Sequence, residues 1–143
     1  MVTFDVFAKR FGRLPAFIRK EGKKILKANE KMIVDMQVAQ DHAGINELGE
    51  QIQSGYSGSY GKRRTKKGLQ ISFVDKHFTG KMHKGKKIVP VKGGIDLRSK
   101  EPYEFYVRAM FPRSWGLTKP NAEVVAELVA VRLAVEMKKF LVG

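Results

Sequence analysis

The sequence predicts an α+β domain: a long N-terminal helix, a small, mainly antiparallel sheet carrying basic loops, and a buried C-terminal helix. Three observations predict it. Apolar residues recur every seven positions from Ile18 to Ala39, short alternating runs flank the Gly93-Gly94 pair, and residues 120 to 141 are apolar on most faces. At 143 residues and 43% hydrophobic, the chain fits one domain, residues 1–143, with one core.

Residues 1–13 carry Phe4, Phe7 and Phe11 at spacings of three and four, which places the rings on one side of a short helix or turn. This segment reads as an N-terminal arm, docked on its own core or exchanged with a neighbouring subunit. Leu14-Pro15 is expected to open the first long helix, because proline suits a first turn. Ile18, Ile25, Met32 and Ala39 form its stripe, with Leu14, Gly22, Asn29 and Met36 half a heptad away and Ile33 widening it. A helix from Pro15 to about Gln40 is about 40 Å long. The heptad is that of a subunit seam, but Gly22 and Asn29 weaken it, so packing within its own domain is the expectation.

From Asp41 the periodicity fades and glycine and serine accumulate. Residues 41–68 therefore read as a mobile basic loop, ending in the block Lys62-Arg63-Arg64-Thr65-Lys66-Lys67. Leu69–Phe73, Lys87–Val91 and Ile95–Arg98 read as short strands, with Gly93-Gly94 as a tight hairpin turn and Pro90 marking an edge. Residues 102–110 alternate at Tyr103, Phe105 and Val107 but also place Tyr106 and Met110 at helical spacing; strand is the expectation. Phe111 to Leu117 is a turn holding the sole tryptophan, and Thr118 or Lys119 caps the last helix, with Pro120 in its first turn.

Charge is concentrated in the middle. Gly55 to Lys100 contains thirteen Lys or Arg against two Asp, so about eleven of the formal net +14 sit in one third of the chain. Such a surface meets acidic partners, and Lys62, Arg63, Arg64, Lys66, Lys67, Lys81, Lys84, Lys86 and Lys87 are its candidate partner- or DNA-binding residues. Tyr56, Tyr60, Phe73 and Phe78 interleave with them, as bases stacked on a single strand would require and as ordinary strand packing also would. No helix-turn-helix, zinc-finger or RNA-recognition string is present, so contact with nucleic acid would ignore base sequence.

Other chemistry finds little support. The absence of cysteine excludes disulfides, thiolate metal sites and thiol nucleophiles. No apolar run reaches membrane-spanning length and no signal-peptide core is visible, so a soluble protein without a membrane partner is expected. His42, His77 and His83 match no familiar ligand spacing, and Lys76, Lys81, Lys84, Lys86 and Lys87 would repel a cation, so no metal is expected. Asp75 and Asp96 are the middle's only carboxylates, and no phosphate-loop string exists. No catalytic residue and no cofactor are assigned.

Two short motifs remain. Thr79-Gly80-Lys81-Met82-His83 and Ser114-Trp115-Gly116-Leu117-Thr118-Lys119-Pro120-Asn121 resemble the turns of small neck and tail proteins of tailed bacteriophages. There, Asp-Thr-Gly-x-[Phe/Leu]-His leads into the sheet and [Ile/Phe]-Phe-Gly-Leu-Thr-x-x-Asn into the C-terminal helix. The resemblance extends over roughly residues 31–140 and, within the head-to-tail connector, tail completion and ring proteins, points more narrowly to the ring proteins of crAss-like phages. The chain departs from the pattern at Phe78, where aspartate is expected. The resemblance implies Thr79, Gly80, His83, Trp115, Gly116, Leu117 and Thr118 as family-motif positions. It also implies a non-enzymatic virion subunit, assembled in the host cytoplasm into a homo-oligomeric ring against portal, neck or tail proteins, with non-specific contact with packaged DNA. A free, sequence-independent nucleic-acid-binding protein is the competing expectation, and a nuclease or other phosphate-handling enzyme the third.

Overall fold

The first helix begins well before Pro15. The computed structural model describes residues 2–52, 55–77 and 79–143, and in it α1 runs Phe4–Ala28. Thr3 caps α1, its Oγ1 accepting from Val6 N at 3.4 Å, and Asp5 sits in the first turn where the helix dipole favours an acid. Pro15 lies inside the helix on its exposed side and offers no N–H to the helix ladder. The separate arm over residues 1–13 is thus corrected: Phe4, Phe7 and Phe11 are the opening turns of α1.

The single helix to Gln40 is also corrected. Asn29 leaves helical geometry at φ −107° and ψ 18°, and its side-chain amide donates to Ile25 O at 2.8 Å, competing with the backbone ladder. The chain turns there and continues as α2, Glu30–Ala43. Gly44, at φ +67°, ends α2 in the left-handed conformation, with Gly44 N donating to Asp41 O and Ile45 N to Gln40 O.

Residues 41–68 do not form one loop. After the turn at Gly44 the chain enters α3, Gly58–Lys66, which contains most of the basic block. The expected strand Leu69–Phe73 is absent because Gln70 takes over its hydrogen bonding. The Gln70 amide donates to Phe73 O (2.9 Å) and Asp75 Oδ2 (2.8 Å), and its carbonyl oxygen accepts from Phe73 N (3.2 Å). A single turn of helix, α4, spans Lys81–Lys84.

The hairpin forms as expected. Strand β1, Lys86–Val91, pairs antiparallel with β2, Gly94–Ser99, in the register Ile88↔Leu97 and Val91↔Gly94. The two-residue turn is therefore Lys92-Gly93, one position earlier than read, and Gly93 supplies the positive φ of 84°. Pro90 sits on an edge, as both strands of a two-stranded sheet do. Residues Glu104–Met110 form helix α5, not a strand, with Arg108 and Glu104 joined across one turn at 2.9 Å. A short 3₁₀ turn, Pro112–Ser114, then leads to α6, Lys119–Val142, capped by Thr118 with Pro120 second.

The centre of the core is Ile33 of α2, Ile88 and Leu97 of the hairpin and Val125 of α6, with Leu26, Met36, Leu117 and Val129 packed around it. Helices α1 and α6 run antiparallel: Phe17 stacks on Phe140 at 4.2 Å, and Arg10 Nη1 donates to Leu141 O at 3.2 Å. The expectation of a buried C-terminal helix needs correction. Only Val125 of α6 is fully buried, and much of its valine-rich surface faces outward.

Candidate functional site

Two of the nine candidate contact residues are turned inward. Arg64 is 0% exposed. Its Nε donates to Gln70 O at 3.0 Å, its Nη1 to His77 O, and its Nη2 to both oxygens of Asp75 at 2.9 and 3.1 Å. Its guanidinium lies 3.8 Å from the Tyr56 ring centre. Tyr56 OH in turn donates to Asp75 Oδ1 at 3.2 Å and accepts from Lys76 N at 2.9 Å, and burial together with the nearby carboxylate raises the phenol's pKa. Of the two readings of the interleaved aromatics, base stacking and ordinary packing, Tyr56 follows the second, packed on Arg64. Phe73 packs against Gly44, and Phe78 lies outside the described residues.

Lys86 is the second. Its ammonium and that of Lys76 both contact Asp41, Lys76 Nζ at 2.5 Å from Oδ1 and Lys86 Nζ at Oδ2. All three side chains are essentially sealed from solvent. The Asp41 carboxyl is pulled down to about 2 against a desolvation effect that alone would raise it, because His83, Lys76 and Lys86 surround it. Desolvation lowers Lys76 to about 8 and also lowers Lys86, with Asp41 holding both ammoniums charged against it.

The motif at 114–121 is clasped by the same end of α2. Gln37 Nε2 and Lys76 Nζ donate to Ser114 O at 3.0 and 2.6 Å. Gln40 Nε2 donates to Gly116 O at 3.1 Å, while its Oε1 accepts from Thr118 N (2.9 Å) and Asn121 Nδ2 (2.8 Å). Trp115 is buried with Lys76, Lys86 and Arg108 4.6 to 5.0 Å from its ring centre. A side chain at position 116 would collide with Glu47 Oε2 at 2.4 Å. Trp115, Gly116 and Thr118 thus serve to fix the start of α6 on α2. Sequence reading missed Gln37, Gln40 and Asp41; their signal was the interruption of an apolar stripe by three polar residues at helical spacing.

The remaining candidates face outward. Lys62, Arg63 and Lys66 are exposed on α3, Lys67 just past its end, and Lys81 and Lys84 on α4, with Lys87 half-buried on β1. A largely apolar cavity of about 400 Å³ opens between these parts, lined in part by Tyr56, Tyr60, Tyr103, Met82 and Met110.

The structure also gathers all three histidines. His42 comes from the end of α2, His77 from the irregular segment before α4 and His83 from α4, and one ring nitrogen of each lies within 4.8 Å of the others. His77 and His83 are near parallel, with ring centres 5.6 Å apart, and His42 lies 4.7 Å from His83. Gly80, at φ +79°, leaves room for the His77 ring: a Cβ there would stand 3.3 Å from Cε1. Thr79 Oγ1 accepts from Lys81 N at 3.4 Å and helps turn the chain into α4. Among the described residues no helix is long and apolar enough to cross a membrane. Compared with protein-family models, curated proteins and solved structures, the chain matches none.

Proposed function

We propose that the chain is a structural subunit of a tailed-phage virion, repeating around a ring at the head–tail junction and joining portal, neck or tail proteins. The observation that carries this reading is the outer face of α6. Val124, Val131, Val135 and Val142, at spacings that bring them onto one side of the helix, are each about half exposed or more. A second exposed apolar set, Phe105, Tyr106 and Met110, lies on α5, and Phe4 and Phe11 form a third on α1. Apolar faces on separate elements are what a head-to-tail contact between identical subunits requires, and a lone domain in water has little reason to display them. The two motif turns support the family reading, since both lie at places where the chain is tightly fixed. We assign no catalysis to the chain.

Sedimentation of the purified protein tests this. Closed oligomers are expected, and Val131→Asp with Val135→Asp should yield folded monomers, because both positions face water in the single chain. A native protein that stays monomeric at high concentration, and whose assembly into particles survives the double substitution, would sink the proposal. One observation favours a second reading: α3 and the residue after it display Lys62, Arg63, Lys66 and Lys67 on the surface, as a sequence-independent nucleic-acid-binding protein would. In that case log affinity should fall with log salt at a slope of about 0.9 per phosphate contacted, and neutralising Lys62 and Lys66 should flatten it.

A further inference from the structure

We propose that His42, His77 and His83 form a binding site for one divalent transition-metal ion, with zinc the best fit. The linear spacing argues against a site, but each histidine comes from a different element and the fold brings them together. His83 is only 8% exposed, and its Nε2 is buried without a hydrogen-bond partner. His77 Nδ1 is likewise buried and unpartnered. Orphaned ring nitrogens in a protein interior are costly, and two that converge on a third imidazole are accounted for by a shared ion.

Behind the trio, His83 Nδ1 faces Asp41 Oδ2 at 3.4 Å. A carboxylate at that nitrogen favours the tautomer that leaves Nε2 free to ligate, the arrangement common to zinc-bound histidines. Zinc–nitrogen bonds of about 2.0–2.1 Å require tetrahedral ligand atoms roughly 3.4 Å apart. The trio must close somewhat from 4.8 Å, and His42, which is exposed, can swing to do so.

The charged surroundings select the ion. Asp41 carries one negative charge against the ammoniums of Lys76 and Lys86, so the neighbourhood offers little electrostatic attraction. Hard cations such as calcium and magnesium, which rely on oxygen ligands, are disfavoured; binding must come from three neutral imidazoles, which suit zinc. The fourth position opens to solvent on the His42 side. The ion would tie the end of α2 to His77 and α4.

The test uses the untagged full chain, freed of metal with a chelator and titrated with zinc chloride by calorimetry and equilibrium dialysis. One zinc per chain is expected, with magnesium failing to compete and cobalt(II) giving the intense visible bands of tetrahedral coordination. Zinc at 100 times its Kd should shift the folding equilibrium about 100-fold towards the native state. His83 is buried and its loss endangers the fold, so the deciding variant is His42→Ala, whose exposed side chain can be removed harmlessly. It should weaken zinc binding at least about tenfold while keeping the metal-free melting temperature. No zinc uptake by the native chain, or uptake unchanged in His42→Ala, would overturn the assignment.

Discussion

Replacing Arg64 by alanine should destabilise the protein far more than removing any exposed cation beside it. The side chain is sealed from water, gives both oxygens of Asp75 a hydrogen bond from Nη2, and donates to the backbone carbonyls of the half-buried Gln70 and His77. Losing one partner of a buried ion pair costs about 3–5 kcal/mol. Asp75 would keep three donors, from Tyr56 OH, Gln70 Nε2 and His77 N, which places the ion-pair loss near the lower end. The two abandoned carbonyls, on half-buried residues, add about 0.5–1 kcal/mol each, so the expected loss is about 4–5 kcal/mol. Arg64→Lys keeps the charge but cannot reach all three acceptors at once, and should lose about 2 kcal/mol. Lys62→Gln and Lys66→Gln, on the exposed face of the same helix, should change stability by less than about 0.5 kcal/mol. Urea unfolding followed by far-ultraviolet circular dichroism measures all four. An Arg64→Ala variant within about 1 kcal/mol of wild type would refute the buried role.

Two further outcomes follow from local geometry. Gly44→Ala should lose more than about 2 kcal/mol, because position 44 has φ +67° and a Cβ there would lie 2.2 Å from the Phe73 ring; Gly49→Ala, at φ +81° with open space around it, should lose only about 1 kcal/mol. Equal losses in thermal melts would show that Phe73 does not pack there. Glu30 accepts from Lys27 Nζ at 2.7 Å and Ile88 N at 2.9 Å, and Lys27 foremost lowers its pKa. Its folded-state pKa lies below the unfolded one, so its contribution is present above the unfolded value and disappears as pH falls through the folded value. Glu30→Gln should therefore lose about 1 kcal/mol at neutral pH and match wild type in strong acid. A gap independent of pH would remove the charge from the explanation.

The sequence was most legible where a local rule had no rival. The hairpin followed from two alternating runs around a glycine that could take positive φ, and the start of α6 from Thr118 and Pro120. It was least legible where two rules competed. Tyr103, Phe105 and Val107 alternate as a strand would, yet Glu104 and Arg108 pair across a helical turn, and the second pattern prevailed in α5. Asn29 looked like a weak heptad position; its amide capturing Ile25 O made it a break. The basic surface was overcounted because a list of charges does not show which cations have buried partners: Arg64 meets Asp75, 11 residues on, and Lys86 meets Asp41, 45 residues back. The histidines were underread for the same reason, since three residues that share no spacing converge only after α2 and α4 have docked.

The pairing of α1 with α6 has a consequence for how the molecule is made. Arg10 and Leu141, which touch in the folded protein, are 131 residues apart in sequence. A contact of such separation closes a long loop, and loop closure of this kind slows folding. During synthesis α1 emerges well before α6, and the Phe140 ring that stacks on Phe17 follows more than a hundred residues later. Through that interval α1 lacks the Phe140 ring that stacks on Phe17, while Phe4 and Phe11 are exposed before and after folding alike. The nascent chain is then at its most prone to aggregate or to recruit a chaperone, and a slow ribosome would prolong this exposure more than any late step of folding.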